Sequence, residues 1–300
     1  MQERFSDLVS AFLSWANQAL RPSTVNVYRH YFKKWIEAHG DQLISDIQPA
    51  HLTAWAKTWH QCQAVKRLFG WAVNEAGLLK SHAVLKVRPP RKGYRRRILA
   101  PREAARILRA SSRDLRVLLI AYRETYARPQ ELRLATWEDV NSENPKLTTR
   151  EALELGEASI VLYDFKDCSR RQDCERPRVI LLSPRACRLL LRLWHRRPHK
   201  RGRIFLTARG MPWTANALRC RFRRLRAKLG FARDKRGENI VPYTWRHTGA
   251  TMAAAVGVRD RLLADVLGHV ETKTTARYCH LQVRHLRDAL GRVWRVDRPR

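Results

Sequence analysis

Residues 242–251 read Pro-Tyr-Thr-Trp-Arg-His-Thr-Gly-Ala-Thr, and residues 267–278 read Leu-Gly-His-Val-Glu-Thr-Lys-Thr-Thr-Ala-Arg-Tyr. Late in a chain of 300 residues they set out an arginine (Arg246), a histidine behind a glycine (His269) and, nine residues further on, a tyrosine (Tyr278). A third block lies upstream. It is Tyr126-Ala-Arg-Pro-Gln-Glu-Leu132, with Arg128 and Glu131 three apart, followed by Trp137-Glu-Asp-Val140. Taken singly, each residue has a plain structural use. A tyrosine packs inward from a helix face, a histidine after glycine closes a helix end, and Arg128 pairs with Glu131, Glu124 or Asp139. The order of the three blocks carries more information than any one of them.

The surroundings of these blocks are strongly cationic. The chain holds 60 Lys plus Arg against 27 Asp plus Glu, a net charge of +33 with His neutral. Such a charge opposes compaction unless a polyanion neutralises it, and each neutralised phosphate releases counterions that favour binding. Coding bias toward arginine is the plain alternative source of part of the excess. A hydrophobic fraction of 44% and 10 Trp exclude a disordered basic tail. No apolar run approaches the roughly 20 residues that cross a bilayer. The N-terminal MQERFSDLVS carries acids and no apolar signal core, so a cytoplasmic protein without membrane partners is expected. The six cysteines (Cys62, Cys168, Cys174, Cys187, Cys220, Cys279) have no zinc-knuckle spacing and are expected to be reduced. Cys168, Cys174 and His280 are the one weak metal grouping, and no metal or cofactor is expected.

Residues 1–85 read as a helical domain. Phe5, Leu8, Val9, Phe12, Leu13 and Ala16 line one helical face, Tyr28, Tyr31, Phe32 and Trp35 a second, ended by Gly40. Pro49 opens a segment with Leu52, Trp55, Ala56 and Trp59, and Val65, Leu68, Phe69, Ala72 and Val73 line the last, which runs to Gly77. Residues 86–97 read KVRPPRKGYRRR, seven of twelve basic with two Pro and one Gly, so 86–98 is expected to be an extended charged linker. Residues 99–300 then form a mainly helical second domain with a small sheet. Helices are expected over 101–110 and 114–125, strands at Ile160–Tyr163 and Val179–Leu182, a helix from Ser183–Pro184 to about Arg197, and a further short strand at 204–206. A helix from Thr214 to before Gly230 has the seam Leu218, Phe222, Leu225 and Leu229. Arg219, Arg221, Arg223, Arg224, Arg226 and Lys228 cover the rest without one acid, so it is expected to face DNA.

The three blocks, in this order, resemble the catalytic domain of the tyrosine recombinases, or phage integrases. That family shows Arg with Glu three residues on, then His-x-x-Arg-His, then Leu-Gly-His with a tyrosine nine beyond the histidine. Ser23-Thr-Val-Asn-Val-Tyr28 and Leu68-Phe-Gly-Trp-Ala-Val73 are similar, less specifically, to its core-binding domain. The resemblance implies a mainly α fold: a helical, SAM-like N-terminal core-binding domain, and a mixed, mostly helical C-terminal catalytic domain with a small antiparallel sheet, the DNA breaking-rejoining enzyme fold. It also implies double-stranded DNA sites as partners and four protomers acting on two sites. Accessory DNA-bending proteins would be further partners, and the setting a prokaryotic cytoplasm, at the nucleoid.

By the same resemblance Arg128 and Arg246 clamp the scissile phosphate, and His269 bonds a phosphate oxygen or assists proton transfer. Tyr278 is the nucleophile, and Lys166, the lysine of the presumed hairpin at 165–178, protonates the leaving 5′ oxygen. The chemistry needs these types. A phenol keeps the phosphoryl bond energy in an ester, so no external energy source is required, and guanidinium forks match the charge that develops on the phosphoryl oxygens. Glu131 is expected to hold an arginine or backbone in place. Arg219, Arg221, Arg223 and Arg224, with Arg95, Arg96 and Arg97 of the linker, are candidate DNA contacts. One departure stands out: Tyr243 occupies the place where the family has His or Lys, and a phenol with a reference pKa near 10 is a poor base at neutral pH. Two other functions stay open, a catalytically impaired DNA binder of the same fold and a type IB topoisomerase-like relaxing enzyme.

Overall fold

Apolar residues at three- and four-residue steps from Phe5 onward make a helix with one sticky face, and a computed structural model shows how the chain uses such faces. It describes residues 3–142, 144–163, 177–196 and 201–269. Within them the chain divides into two units, Met1–Arg95 and Arg96–Arg300.

The first unit contains α1 (Phe5–Ala19), α2 (Pro22–His39), α3 (Pro49–Trp55) and α4 (Trp59–Asn74). Pro22 and Pro49 sit in the first turn of their helices, where a missing N–H costs nothing. The segment from Pro49 through Trp59 is two helices rather than one. Thr58 caps α4 by accepting from the Gln61 N–H, and Gln61 accepts from the Thr58 N–H in return. The core is aromatic. Phe12 is fully buried, with ring centroids of Tyr28, Phe32 and Trp71 each 5.2–5.6 Å away in edge-on contact.

Residues 87–100 carry no helix or strand, but their ends are fastened. Val87 is buried in the first unit and its carbonyl accepts from Lys66 Nζ at 2.6 Å. In the second unit Glu238 accepts from the backbone N–H groups of Arg96 (2.8 Å) and Arg97 (2.7 Å).

The second unit runs through α5 (Pro101–Ala110), α6 (Arg113–Thr125), α7 (Pro129–Leu134), β1 (Val140–Ser142), α8 (Thr149–Leu155), β2 (Ala158–Leu162) and β3 (Arg178–Leu181). It continues with α9 (Pro184–His195), α10 (Ala215–Lys228), α11 (Tyr243–Ala255) and α12 (Asp260–Leu267). The strands form one antiparallel sheet in the order β1-β2-β3. Its register places Val140 opposite Ile160 and Ile160 opposite Ile180, all three buried. β3 alternates buried and exposed, so Arg178 shares the inward face with Ile180 and lies opposite Leu162. The segment 204–206 is not a strand of this sheet. Ile204 and Phe205 instead plug the helical core, between isolated antiparallel bridges of Arg203 with Thr136 and of Leu206 with Pro212. Among the described residues no helix is long and apolar enough to cross a membrane.

Candidate active site

α6 stops at Thr125 because Tyr126 turns into the left-handed region, with φ +52°. Among the described residues it is the one non-glycine with positive φ, a conformation that costs a side-chain-bearing residue on the order of 1 kcal/mol. Packing offsets this cost. The Tyr126 ring lies on the small hydrophobic group of Ala250, Leu263 and Leu267, directly over the Cα of Gly249. The turn also presents the Tyr126 carbonyl to Arg246 and sends the chain toward Arg128. Thr125 Oγ1 accepts from the Ala127 N–H at 3.3 Å, and Tyr122 Oη donates to the Pro129 carbonyl at 3.0 Å. Burial pushes the Tyr122 phenol far above its ordinary pKa, so it remains a neutral donor.

Arg128 precedes α7, whose first residue is Pro129. Glu131 holds both ends of Arg128: one carboxylate oxygen accepts from its backbone N–H (2.8 Å), the other from its Nη1 (2.7 Å). The same carboxylate lies 3.8 Å from Nε of Arg178. Glu131 thus bonds both the backbone and the guanidinium of Arg128.

The other half of the site is the end of α12. Gly268 adopts φ +63°, and the N–H groups of Gly268 and His269 fold back onto the carbonyls of Asp265 and Ala264, both at 2.9 Å. This double closure is the Schellman pattern, and it fixes the direction in which His269 leaves the helix. Arginines from three other elements attend the carbonyls at this end. Arg178 of β3 donates to Asp265 O (3.1 Å) and Val266 O (2.6 Å), and Arg246 of α11 donates to Leu267 O (2.5 Å). Arg128 donates to Gly268 O (3.1 Å). Arg246 also donates to Tyr126 O (2.8 Å) and stands 3.1 Å from His269 Nε2. With an arginine as the donor, that ring nitrogen is the acceptor and Nδ1 carries the proton.

Arg128, Arg246 and His269, separated by up to 141 residues, therefore converge on one helix end. Charge there is unbalanced. Arg246, Arg178 and Arg128 have 0%, 2% and 12% of their surface exposed, and the buried acid beside them is Glu131 at 4%. Among the described residues, three guanidiniums against one carboxylate leave an excess of two positive charges. The negative end of the α12 dipole offsets part of it, and an anion would offset the rest. Among the described residues Arg246 Nε has no hydrogen-bond partner. Tyr243 begins α11 half-buried, its ring edge-on to His247 at 4.8 Å. Lys166 and Tyr278 lie outside the described residues, as do Cys168, Cys174 and His280. Among the described residues no cluster of three His, Cys, Asp or Glu could hold a metal ion.

The basic candidates separate by what they already bind. On α10, Leu218, Phe222 and Leu225 face the core, while Arg219, Arg223 and Arg224 are exposed. Arg221 is committed elsewhere: its guanidinium pairs with Asp114 of α6 at 2.7 Å and lies over the Trp213 ring. Burial alone would raise the Asp114 pKa. Hydrogen bonds from Ser112 and the Ala208 and Leu115 backbones, with the Arg221 charge, hold it below the ordinary carboxylate range instead. Helix α10 has no acid of its own, and its partner acid comes from α6. Arg95 and Arg96 are exposed, whereas Arg97 is mostly buried against Glu103 (2.7 Å).

Arg178 is the site residue that periodicity and motif spacing missed. The one available signal is local: in Arg178-Val-Ile-Leu181, period-2 counting puts the arginine on the face of Ile180, a place for an apolar side chain.

Gly249 gives a direct check on the packing. A Cβ there would come within 2.0 Å of the Tyr126 ring, so Gly249→Ala is expected to displace the ring and destabilise the second unit by about 1–3 kcal/mol. The double variant Gly249→Ala with Tyr126→Gly should recover part of that loss in thermal denaturation. No recovery would mean that ring and glycine are not partners.

Known proteins resemble this chain in sequence and in fold. The model of the phage integrase family matches residues 97–285, and that of the phage integrase N-terminal SAM-like domain matches residues 4–60. The tyrosine recombinase XerD of Corynebacterium glutamicum is 31% identical over 97 residues, which is 32% of this chain and 29% of that protein. The chain spans 17% to 29% of the length of the curated relatives it matches. In fold it is similar to lambda integrase, solved as a tetramer bound to a Holliday junction (TM-score 0.70, 16% identity, 92% of this chain and 77% of that one). It is similar also to the Tn1549 transposon integrase in complex with transposon right end DNA (TM-score 0.68, 16% identity, 95% and 99%). At such identities these two likenesses speak for the fold, a helical N-terminal domain followed by a mostly helical domain with a small antiparallel sheet. With its model matched over 189 of 300 residues, and Arg128, Arg246 and His269 gathered at one helix end, the chain belongs to the phage integrase family, the tyrosine recombinases.

Proposed function

We propose that this chain is a site-specific DNA recombinase that breaks and rejoins strands through a 3′-phosphotyrosine intermediate. The observation that carries the proposal is the gathering of Arg128, Arg246 and His269 at the end of α12, with more buried cations than acids among the described residues. A phosphodiester is the anion that suits such a place.

In the reaction, Tyr278 Oη attacks the phosphorus, a bond to the phenol forms, and the bond to the 5′ oxygen breaks. Lys166 gives that oxygen its proton. The phenol proton passes to water, to the phosphate, or to His269 once its Nε2 is released by Arg246, since Tyr243 is a weak base. Arg128 and Arg246 stabilise the charge gathering on the non-bridging oxygens. The freed 5′ hydroxyl of a partner strand then attacks the phosphotyrosine and restores a diester. No cofactor is needed, because the ester conserves the bond energy. Double-stranded recombination sites are the partners, with four protomers on two sites and DNA-bending accessory proteins in a prokaryotic cytoplasm, at the nucleoid. Exposed Arg219, Arg223, Arg224, Arg95 and Arg96 would meet DNA, and the intramolecular pairs of Arg221 and Arg97 make those two weaker candidates.

A second reading, DNA binding without cleavage, is favoured by two features. Arg246 is fully buried with its donors on carbonyls, and Tyr243 stands where the family has His or Lys. A pool of nicked duplexes with randomised flanks separates the readings, because loss of the short 5′-hydroxyl strand traps any covalent product. Denaturant-resistant DNA on the chain, mapped to Tyr278 by mass spectrometry, is the expected result. DNA retained only without denaturant would establish the binder instead. Relaxation of plasmid without exchange between two molecules would point to a topoisomerase.

A further inference from the structure

We propose that Arg178 is a positioning residue of this site: it ties the base of the β2–β3 hairpin to the end of α12 and so holds His269 in place. The proposal rests on the recombinase reading above and deepens it. An arginine in an inward strand register is costly unless its charge and most of its donors find partners, since a buried cation without partners loses its hydration. Here the guanidinium is 2% exposed. Nη1 donates to its neighbour Val179 O (2.7 Å) and to Asp265 O (3.1 Å), Nη2 to Val266 O (2.6 Å), and Nε faces Glu131 at 3.8 Å.

The carbonyls of Asp265 and Val266 belong to the last turn of α12: Asp265 O accepts from the Gly268 N–H and Val266 O has no later helical N–H, so both have room for further donors. Arg178 supplies those donors and places a positive charge at the negative end of the helix. Two residues further on is His269. The contact is also shaped to fit. A Cβ at Gly268 would come within 2.6 Å of Arg178 Nε and 2.7 Å of its Cδ, so the side chain fills the space that glycine leaves open. Through Glu131, which binds Arg128 Nη1 at 2.7 Å, the same arginine reaches the other side of the site. Arg178 has no exposed edge for DNA, so it acts through His269 and Arg128 rather than on the phosphate. Lysine cannot replace it, because one ammonium cannot meet separate carbonyls in a fixed plane.

The test uses full-length Arg178→Lys, Arg178→Met and Gly268→Ala, the last pressing on the same contact from the helix side. Three quantities are followed: the rate of adduct formation on the nicked duplex pool, the affinity for the same DNA, and the titration of His269. The titration is read by NMR of ring-labelled histidine, assigned with His269→Gln. The expected result is an adduct rate lower by about tenfold to a hundredfold, as when partners that orient a reacting group are removed. DNA affinity should stay within about twofold, and the His269 titration should move by about half a pH unit or more. If Arg178→Met does not fold, Arg178→Lys and Gly268→Ala decide.

Unchanged rate and titration would overturn the proposal. So would a slower reaction with an unmoved His269, or a parallel loss of rate, affinity and melting temperature. If the unaltered chain forms no adduct, the recombinase reading falls. The His269 titration then still decides whether Arg178 holds the imidazole.

Discussion

Tyr278→Phe is expected to abolish covalent capture of DNA while leaving its non-covalent binding within about twofold, because only the nucleophilic oxygen is lost and the ring remains. The drop should exceed about a thousandfold, the scale on which removing a covalent nucleophile separates from removing a supporting group. Capture is scored by gel after denaturation, and binding by mobility shift on the same duplex. The pairing of the two measurements matters. A cationic chain of charge +33 binds DNA without any chemistry, so binding alone says little about Tyr278. If the phenylalanine variant still forms a denaturant-resistant adduct, the nucleophile is another residue. The roles assigned to His269 and Lys166 would then fall with it.

Arg246 variants should fail in two ways at once. Its guanidinium is fully buried and donates to Tyr126 O, Leu267 O and the neighbourhood of His269 Nε2. Arg246→Ala leaves those acceptors unpaired in the interior, so the second unit should lose roughly 1–3 kcal/mol, the cost of buried acceptors left without a donor. Denaturant unfolding checks this, with fluorescence from the Trp137, Trp213 and Trp245 indoles of that unit. Arg246→Lys keeps the charge and part of the volume, so its stability loss should be smaller. Its adduct rate should still fall by about a hundredfold to a thousandfold, because an ammonium cannot copy a two-pronged donor toward the phosphoryl oxygens. A lysine variant that captures DNA as fast as the parent would assign Arg246 to structure alone. That result would favour the reading in which the fold binds DNA without cutting it.

Local signals in this sequence are strong where helices begin and end. Pro101, Ser183–Pro184 and Thr214 start α5, α9 and α10 where caps and proline rules put them, since such rules involve only neighbouring atoms. The same signals missed the breaks around Thr58, the three-residue β1, and the short helix α8, each a few residues long and stable only through tertiary packing. They also read 204–206 as a strand, because a short buried apolar run looks the same whether it pairs with a strand or plugs a helical core. Charge counting along α10 found no acid and could not see that Asp114, 107 residues away, already holds Arg221.

The candidate site divides along the same line. Residue types, their spacing and their order by themselves determined the family and pointed to Arg128, Arg246 and His269, because those features are written in the chain and survive any folding detail. Only the tertiary structure decided that three arginines and a glutamate meet at the end of α12, that Tyr126 turns left-handed above Gly249, and that Arg178 belongs there at all. The reason is physical. A helix end exposes unpaired carbonyls, and which donors satisfy them depends on side chains brought from 21 to 140 residues away, distances at which no local pattern operates.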